Sequence, residues 1–354
     1  MRELIDGATA VVRGALAAGC DFFAGYPITP ATPILLRMMR EMPKAGGIAV
    51  QGEDEISSIG MCIGAAAAGR RALTATSGPG LSLYSENIGL ALMAELPLVI
   101  VDVQRLGPGT GGATTIGQGD VQFARWGTGG GYPLIVLAPS SVEECVTLTF
   151  EAFSLAQRFR CPVIVLTDKE LNLTRVTVSA SSLIPPGMDR SAGPVEALAP
   201  LGSGGVVRFT GSTHDDDRMI TKDPAAVSAL NRRLIDKIEA HRHELERLRL
   251  DLQEAASTLL VSFGTTSGAM MEAIGLARGA GKRVSGAVVQ SLWPVPERAL
   301  MSAAEGVSRV VVGELNPGLY AREIRCLFPD KEIVSLTRID GQLIPPDMYL
   351  EQVL

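Results

Sequence analysis

The sequence predicts an α/β protein with a mainly parallel sheet and a smaller second α/β unit behind it. Two observations carry this. From the N-terminus to about Val178, helical patterns alternate with short runs rich in branched residues: Ala72 to Thr76, Leu98 to Val103, Leu134 to Leu137 and Pro162 to Thr167. Runs that are apolar throughout belong to strands covered on both faces, and helices between them make parallel crossovers. The same alternation restarts at Ser257 after an interruption. With 354 residues the chain has room for roughly two domains and a large core.

Taken in order, the first segment to stand out is Gly25-Tyr26-Pro27-Ile28-Thr29-Pro30, a turn carrying a rigid hydroxyl. Next, Gly52-Glu53-Asp54-Glu55 sets carboxylates at the head of a helix that runs into Gly64-Ala65-Ala66-Ala67-Ala68-Gly69. Together they suit a bulky organic cofactor, although each also has a structural reading. A carboxylate in a first helical turn ordinarily caps the helix or complements its dipole, and Glu53 and Asp54 compete with Glu55 for any role. A helix of small residues ordinarily packs tightly on a sheet.

Arg105 follows the strand Leu98 to Val103 and offers a planar fork for a carboxylate or phosphate, with a surface ion pair as the equal alternative. The adjoining Gly107-Pro108-Gly109-Thr110-Gly111-Gly112 formally contains a dinucleotide-binding pattern. Pro108 breaks the required strand-to-helix turn, and no acidic residue stands where a ribose ligand should be. The segment reads better as a loop at the carboxyl end of a strand, where ligands of open α/β sheets bind.

Near Ser179 the texture changes to Ser, Pro and Gly through about Thr213, as in a linker. His214 with Asp215, Asp216 and Asp217 reads as a solvated turn in preference to a metal cluster. A charged helix is expected from Pro224 to Ala255, its stripe of Leu230, Leu234, Ile238, Leu245 and Leu248 packing along the domains or a partner. In the second unit the sequence predicts strands Thr258 to Phe263, Val284 to Val289, Arg309 to Glu314 and Glu332 to Ser335, and a helix Gly268 to Ala280. The expected division is 1–185, a linker with the charged helix over 186–256, and 257–354.

A net charge of -6 with interspersed signs gives no footprint for nucleic acid or a membrane surface. Cys20, Cys62, Cys145, Cys161 and Cys326 form no close pair, so neither a zinc knuckle nor a linear iron–sulfur motif is present, and they read as thiols in a reducing compartment. No secretory pattern opens the chain, and Glu95, Pro97 and Asp102 interrupt its apolar stretch, so a soluble cytoplasmic protein is expected. With only three histidines, acid–base work falls to a carboxylate or a cofactor.

These segments, with Thr74-Ala-Thr-Ser-Gly-Pro-Gly80, Glu95-Leu-Pro97, Arg105-Leu-Gly-Pro108, Gln118-Gly-Asp120, Leu137-Ala-Pro-Ser-Ser141, Thr167-Asp-Lys169, Leu292-Trp-Pro294 and Gly313-Glu-Leu-Asn316, occur in one order along essentially the whole chain. In that order they resemble the alpha subunit of the 2-oxoacid:ferredoxin oxidoreductases. The resemblance implies a thiamine diphosphate pyrimidine-binding domain followed by a domain like the C-terminal one of transketolases. It assigns cofactor activation to Glu55 and substrate-carboxylate binding to Thr29 and Arg105. Tyr26, Pro27, Ile28, Ser77, Gly78 and Pro79 are implied to line the cofactor together with Glu55.

The family's diphosphate motif, Gly-Asp-Gly with a later Asn that holds Mg2+, is missing, since Gln118-Gly119-Asp120-Val121 lacks the second glycine. The resemblance therefore implies a beta subunit bringing diphosphate contacts, Mg2+ and a [4Fe-4S] cluster, with room for further small subunits. The implied reaction is coenzyme A-dependent oxidative decarboxylation of a 2-oxo acid to acyl-CoA and carbon dioxide, with reduction of ferredoxin and reversible in principle. Gly107-Pro-Gly-Thr-Gly-Gly112 is closer to the branched-chain pattern, whereas Thr167-Asp-Lys-Glu-Leu-Asn172 and Thr210-Gly-Ser-Thr-His-Asp215 look more like the 2-oxoglutarate enzymes, which are slightly favoured. Half of a non-oxidative 2-oxo acid decarboxylase and a non-catalytic scaffolding subunit are the alternatives.

Overall fold

The structure is a computed structural model that describes residues 2–179 and 199–353. The first strands are β1 (Arg2–Asp6), β2 (Phe22–Gly25), β3 (Ile48–Gln51), β4 (Ala72–Thr76), β5 (Leu98–Gln104), β6 (Ile135–Leu137), β7 (Pro162–Asp168) and β8 (Arg175–Ser179). Beyond the linker come β9 (Leu248–Asp251), β10 (Thr258–Ser262), β11 (Val284–Val289), β12 (Ser291–Trp293), β13 (Arg309–Glu314) and β14 (Glu332–Thr337). A large sheet runs in the order β12-β6-β7-β5-β4-β2-β3, and a smaller one in the order β14-β13-β10-β11-β9.

All pairings in the large sheet are parallel except β12 on β6. Every residue of β4, β5 and β7 is buried, as runs without alternation require of strands with helices on both faces. The α/β class read from the sequence is the observed one. The sequence reading passed over β2 and β3, the short strands Phe22–Gly25 and Ile48–Gln51, over the antiparallel strands β9 and β12, and over β1 and β8, which pair antiparallel with one another.

The charged helix expected over Pro224 to Ala255 ends at Glu239. Its stripe of Leu230, Leu234 and Ile238 is buried, but a short turn at Arg242–Leu245 follows, and Leu248-Arg249-Leu250-Asp251 then alternates with the period of a strand. That strand, β9, is the antiparallel edge of the small sheet. The 185/186 boundary lies outside the described residues.

The two units interlock. β12 crosses to the large sheet, and the Trp293 indole nitrogen donates to the Val121 carbonyl at 3.2 Å. Arg125 lies between the rings of Trp126 and Trp293, at 4.1 and 4.2 Å, and reaches Glu323 at 2.6 Å. At the other contact Gln118 is fully buried: its amide donates to the Leu315 carbonyl at 2.9 Å and its Oε1 accepts from the Leu315 amide at 3.1 Å. No disulfide joins the cysteines; four are buried and Cys326 is exposed. Among the described residues, no helix is long and apolar enough to cross a membrane.

Candidate active site

Four neighbouring parallel strands deliver the sequence-predicted residues to one edge of the large sheet. β2 ends at Gly25 and opens Tyr26 to Pro30, β3 ends at Gln51 and leads to Glu55, β4 ends at Thr76 before Ser77-Gly78-Pro79, and β5 ends at Gln104 before Arg105. The carboxyl ends of parallel strands are where an open α/β sheet leaves a crevice.

Of the three adjacent acids, the structure singles out Glu55. Asp54 is the N-cap: its carboxylate accepts from the Ser57 amide at 2.7 Å, and the Ser57 hydroxyl accepts from the Asp54 amide at 3.2 Å. Such a capping box satisfies the first amides of the helix Glu55–Ala67 and leaves Glu55 free to turn inward. Glu53 and Asp54 are exposed, whereas Glu55 is 8% exposed. Its carboxylate lies against Gly80, where a Cβ would come within 3.0 Å of Glu55 Oε1 and 2.1 Å of the Thr76 hydroxyl. Only glycine permits that approach. Among the described residues no hydrogen bond reaches the Glu55 carboxylate. The small-residue end of the same helix, Ala65 to Ala67, is buried in the core far along the helix from Glu55, so tight packing explains it.

Arg105 is buried, and its Nη1 donates to the Thr29 carbonyl at 2.6 Å, joining the ends of β2 and β5. Its Nε is buried without an acceptor, as is the Ser77 hydroxyl. Thr29 is exposed, Tyr26, Pro27 and Ile28 are half-buried, and Gly78 and Pro79 open the short helix Pro79–Leu83. The Gly107 to Gly112 loop curls back on itself through a bridge between Leu106 and Gly112 and leads to no helix directly, unlike a dinucleotide fingerprint. A cleft of about 740 Å³ runs from Gly78, Arg105 and this loop to Asn316, Leu319 and Ile339 of the second unit.

The sequence reading gave no role to Asp102 and Asp120. Asp102, fully buried in β5, accepts from the Gly78 amide at 3.1 Å and neighbours the Asp120 carboxyl. Burial and then Asp120 push Asp102 well above the usual carboxylate range, and burial raises Asp120 as well. The available signal was a carboxylate in the middle of an otherwise apolar strand. His214 to Asp217 forms a turn, closed by the Met219 amide on the Asp215 carboxylate at 2.9 Å.

A largely buried carboxylate at Glu55, an unpartnered buried hydroxyl at Ser77 and a guanidinium with an unpartnered Nε suit an organic cofactor that needs one carboxylate and an anionic substrate beside it. Residues 13–203 match the family model described as pyruvate flavodoxin/ferredoxin oxidoreductase, thiamine diphosphate-binding, and residues 256–348 match pyruvate:ferredoxin oxidoreductase core domain II. The chain belongs to this family. It is 38% identical to the 2-oxoglutarate synthase subunit KorA of Methanothermobacter marburgensis, over 99% of this chain and 98% of that protein. It is 36% identical to the ketoisovalerate oxidoreductase subunit VorB of Methanothermobacter thermautotrophicus, over 99% and 97% of the two chains. The solved 2-oxoglutarate:ferredoxin oxidoreductase from Magnetococcus marinus, with 2-oxoglutarate, coenzyme A and succinyl-CoA bound, is 30% identical with a TM-score of 0.90. That alignment covers 99% of this chain and 64% of that one, so this chain spans under two thirds of it. An 11% identical split-gene transketolase, with a TM-score of 0.55, shares the fold.

Proposed function

We propose that this chain is the alpha subunit of a 2-oxoacid:ferredoxin oxidoreductase, with 2-oxoglutarate preferred over branched-chain 2-oxo acids. The observation that carries the reading is the convergence of Thr29, Glu55, Ser77 to Pro79 and Arg105 at four neighbouring strand ends. The substrate preference is supported by relatives named for 2-oxoglutarate at 38% and 39% identity, against 36% for those named for ketoisovalerate. In the reaction a 2-oxo acid and coenzyme A give acyl-CoA and carbon dioxide, and two electrons pass to ferredoxin. Bound thiamine diphosphate would supply the nucleophilic carbon and the electron sink for decarboxylation.

Glu55 holds a proton at the cofactor's ring nitrogen, a task for which a largely buried carboxylate against the Gly80 wall is fitted. Arg105, braced on the Thr29 carbonyl, binds the carboxylate of the 2-oxo acid, with Thr29 beside it. Tyr26, Pro27, Ile28, Ser77, Gly78 and Pro79 line the cofactor's pyrimidine side. We assign the diphosphate contacts, Mg2+ and a [4Fe-4S] cluster to a beta subunit, with further small subunits completing the assembly. We propose a division into 1–185, a linker with the charged helix over 186–256 and 257–354, with β9 at the end of the middle segment joining the small sheet of the last.

The test is reduction of a viologen dye by this chain coexpressed with a diphosphate-motif subunit, supplied with coenzyme A and either 2-oxoglutarate or 3-methyl-2-oxobutanoate. Coenzyme A-dependent reduction, faster with 2-oxoglutarate, is expected. Carbon dioxide release without dye reduction would instead identify a non-oxidative decarboxylase, and failure to bind thiamine diphosphate a scaffolding subunit.

A further inference from the structure

The floor between Arg105 and the Ser77 to Pro79 turn is made by two residues to which the proposed function gives no role. Asp102 is inside β5 with no solvent exposure, and its Oδ1 accepts the Gly78 amide at 3.1 Å. Asp120 is half-buried, its amide donating to Gln104 Oε1 at 3.2 Å. Its carboxylate faces Gly78 so closely that a Cβ there would lie 3.6 Å from Asp120 Oδ2 and 4.0 Å from Cγ of Arg105. Both carboxyls thus meet at Gly78, and Oδ2 of each is buried with no hydrogen-bond donor. Two neighbouring buried carboxyls resist being ionised together, and a single proton shared between them relieves that repulsion. The pair then carries one negative charge, matched by Arg105.

Asp120 is also tied to the second unit. Two residues earlier, Gln118 makes five hydrogen bonds across the interface: its amide to the Leu315 carbonyl at 2.9 Å, its Oε1 from the Leu315 amide at 3.1 Å and from the Thr266 hydroxyl at 3.5 Å, its Nε2 to the Phe263 carbonyl at 3.2 Å, and its carbonyl from Asn316 Nδ2 at 2.7 Å. Between this clamp and Asp120 stands only Gly119.

We propose that Asp102 and Asp120 form a proton-sharing carboxyl pair that positions both Arg105 and the Ser77 to Pro79 turn, and that Gln118 fastens this joint to the second unit. The inference rests on the reading of Arg105 as the substrate-carboxylate residue and gives the second unit a part in holding that site. In Asp120→Asn the amide donates to Asp102, so the joint survives without its shared proton. In Asp120→Ala it is lost.

The experiment uses the assembled enzyme and reads three quantities: KM and kcat for 2-oxoglutarate, the Kd of thiamine diphosphate, and hydrogen exchange of a peptide spanning residues 77–83. Asp120→Ala is expected to raise KM by about tenfold or more with kcat changed far less, and to speed exchange in that peptide, as misplacement of a binding group does. Asp120→Asn is expected to restore most of both, and Gln118→Leu to raise KM as Asp120→Ala does. Equal behaviour of the Asn and Ala variants, or an unchanged KM in Asp120→Ala with only the yield of folded enzyme reduced, would overturn the joint. An unchanged KM in Arg105→Ala would overturn the underlying reading of Arg105, and the exchange contrast between Asn and Ala would then decide the joint without reference to substrate.

Discussion

Glu55 is a largely buried carboxylate to which no protein donor is hydrogen-bonded among the described residues, so its oxygens are open to a ligand. Glu55→Gln keeps the shape of the side chain but cannot hold the same proton. Turnover of the assembled enzyme is expected to fall by about 10²- to 10⁴-fold, with thiamine diphosphate affinity changed much less. Arg105→Lys replaces a fork with a point charge and should raise the KM for the 2-oxo acid by about tenfold, measured in the same dye-reduction assay. The choice of Glu55 over its neighbours was already partly written in the sequence, because Asp54 with Ser57 three positions on is a cap pattern. The pairing of Asp102 with Asp120 was not legible, since it depends on how the loop after Arg105 returns to β5.

At the scale of elements, the helix Pro224–Glu239 is held to the large sheet by charge as well as by its leucine stripe. Glu95, buried just before β5, accepts from Arg233 at 2.5 Å, Lys237 at 3.2 Å and Arg160 at 3.4 Å. Burial alone would raise this carboxyl, but Lys237, Arg160 and Arg233 outweigh it and hold it below the usual range. Glu95→Gln removes the carboxylate that Arg233 and Lys237 share and should destabilise the chain by about 3 kcal/mol, seen in chemical unfolding and in faster amide exchange across 224–239. The helix was legible from its 3.6-residue stripe. Its end was misjudged because the charged residues continue past Glu239 while the period changes to that of a strand at Leu248. β2 was missed because Phe22-Phe23-Ala24-Gly25 carries no β-branched residue, and β3 because its two branched residues, Ile48 and Val50, are separated by Ala49 and do not form a run.

At the scale of the whole molecule, the two sheets meet through the carboxyl ends of their strands. Asp168, at the end of β7, accepts from the Leu171 amide at 3.0 Å and from the Thr265 amide of the second unit at 2.8 Å. Burial pushes this carboxyl up from its ordinary 3.8 to about 6. Between those values the folded chain holds a proton that the unfolded chain has released, so the contribution of Asp168 is fully present below about pH 4 and is lost as pH rises through 6. Melting followed from pH 4 to pH 7 should show this loss, levelling off above about pH 6, and Asp168→Asn should flatten it. The two-unit plan was legible because the strand and helix alternation restarts at Ser257, whereas the crossing of β12 into the large sheet was not, since three residues carry no sign of which sheet they join. The most direct test of the shared site is a paired titration and turnover measurement on the assembled enzyme with native Glu55 and with Glu55→Gln. Thiamine diphosphate binding retained to within about tenfold, with coenzyme A-dependent 2-oxoglutarate oxidation reduced at least about a hundredfold, is the expected result; turnover preserved in the variant would contradict the assignment of Glu55 and of the strand-end site built around it.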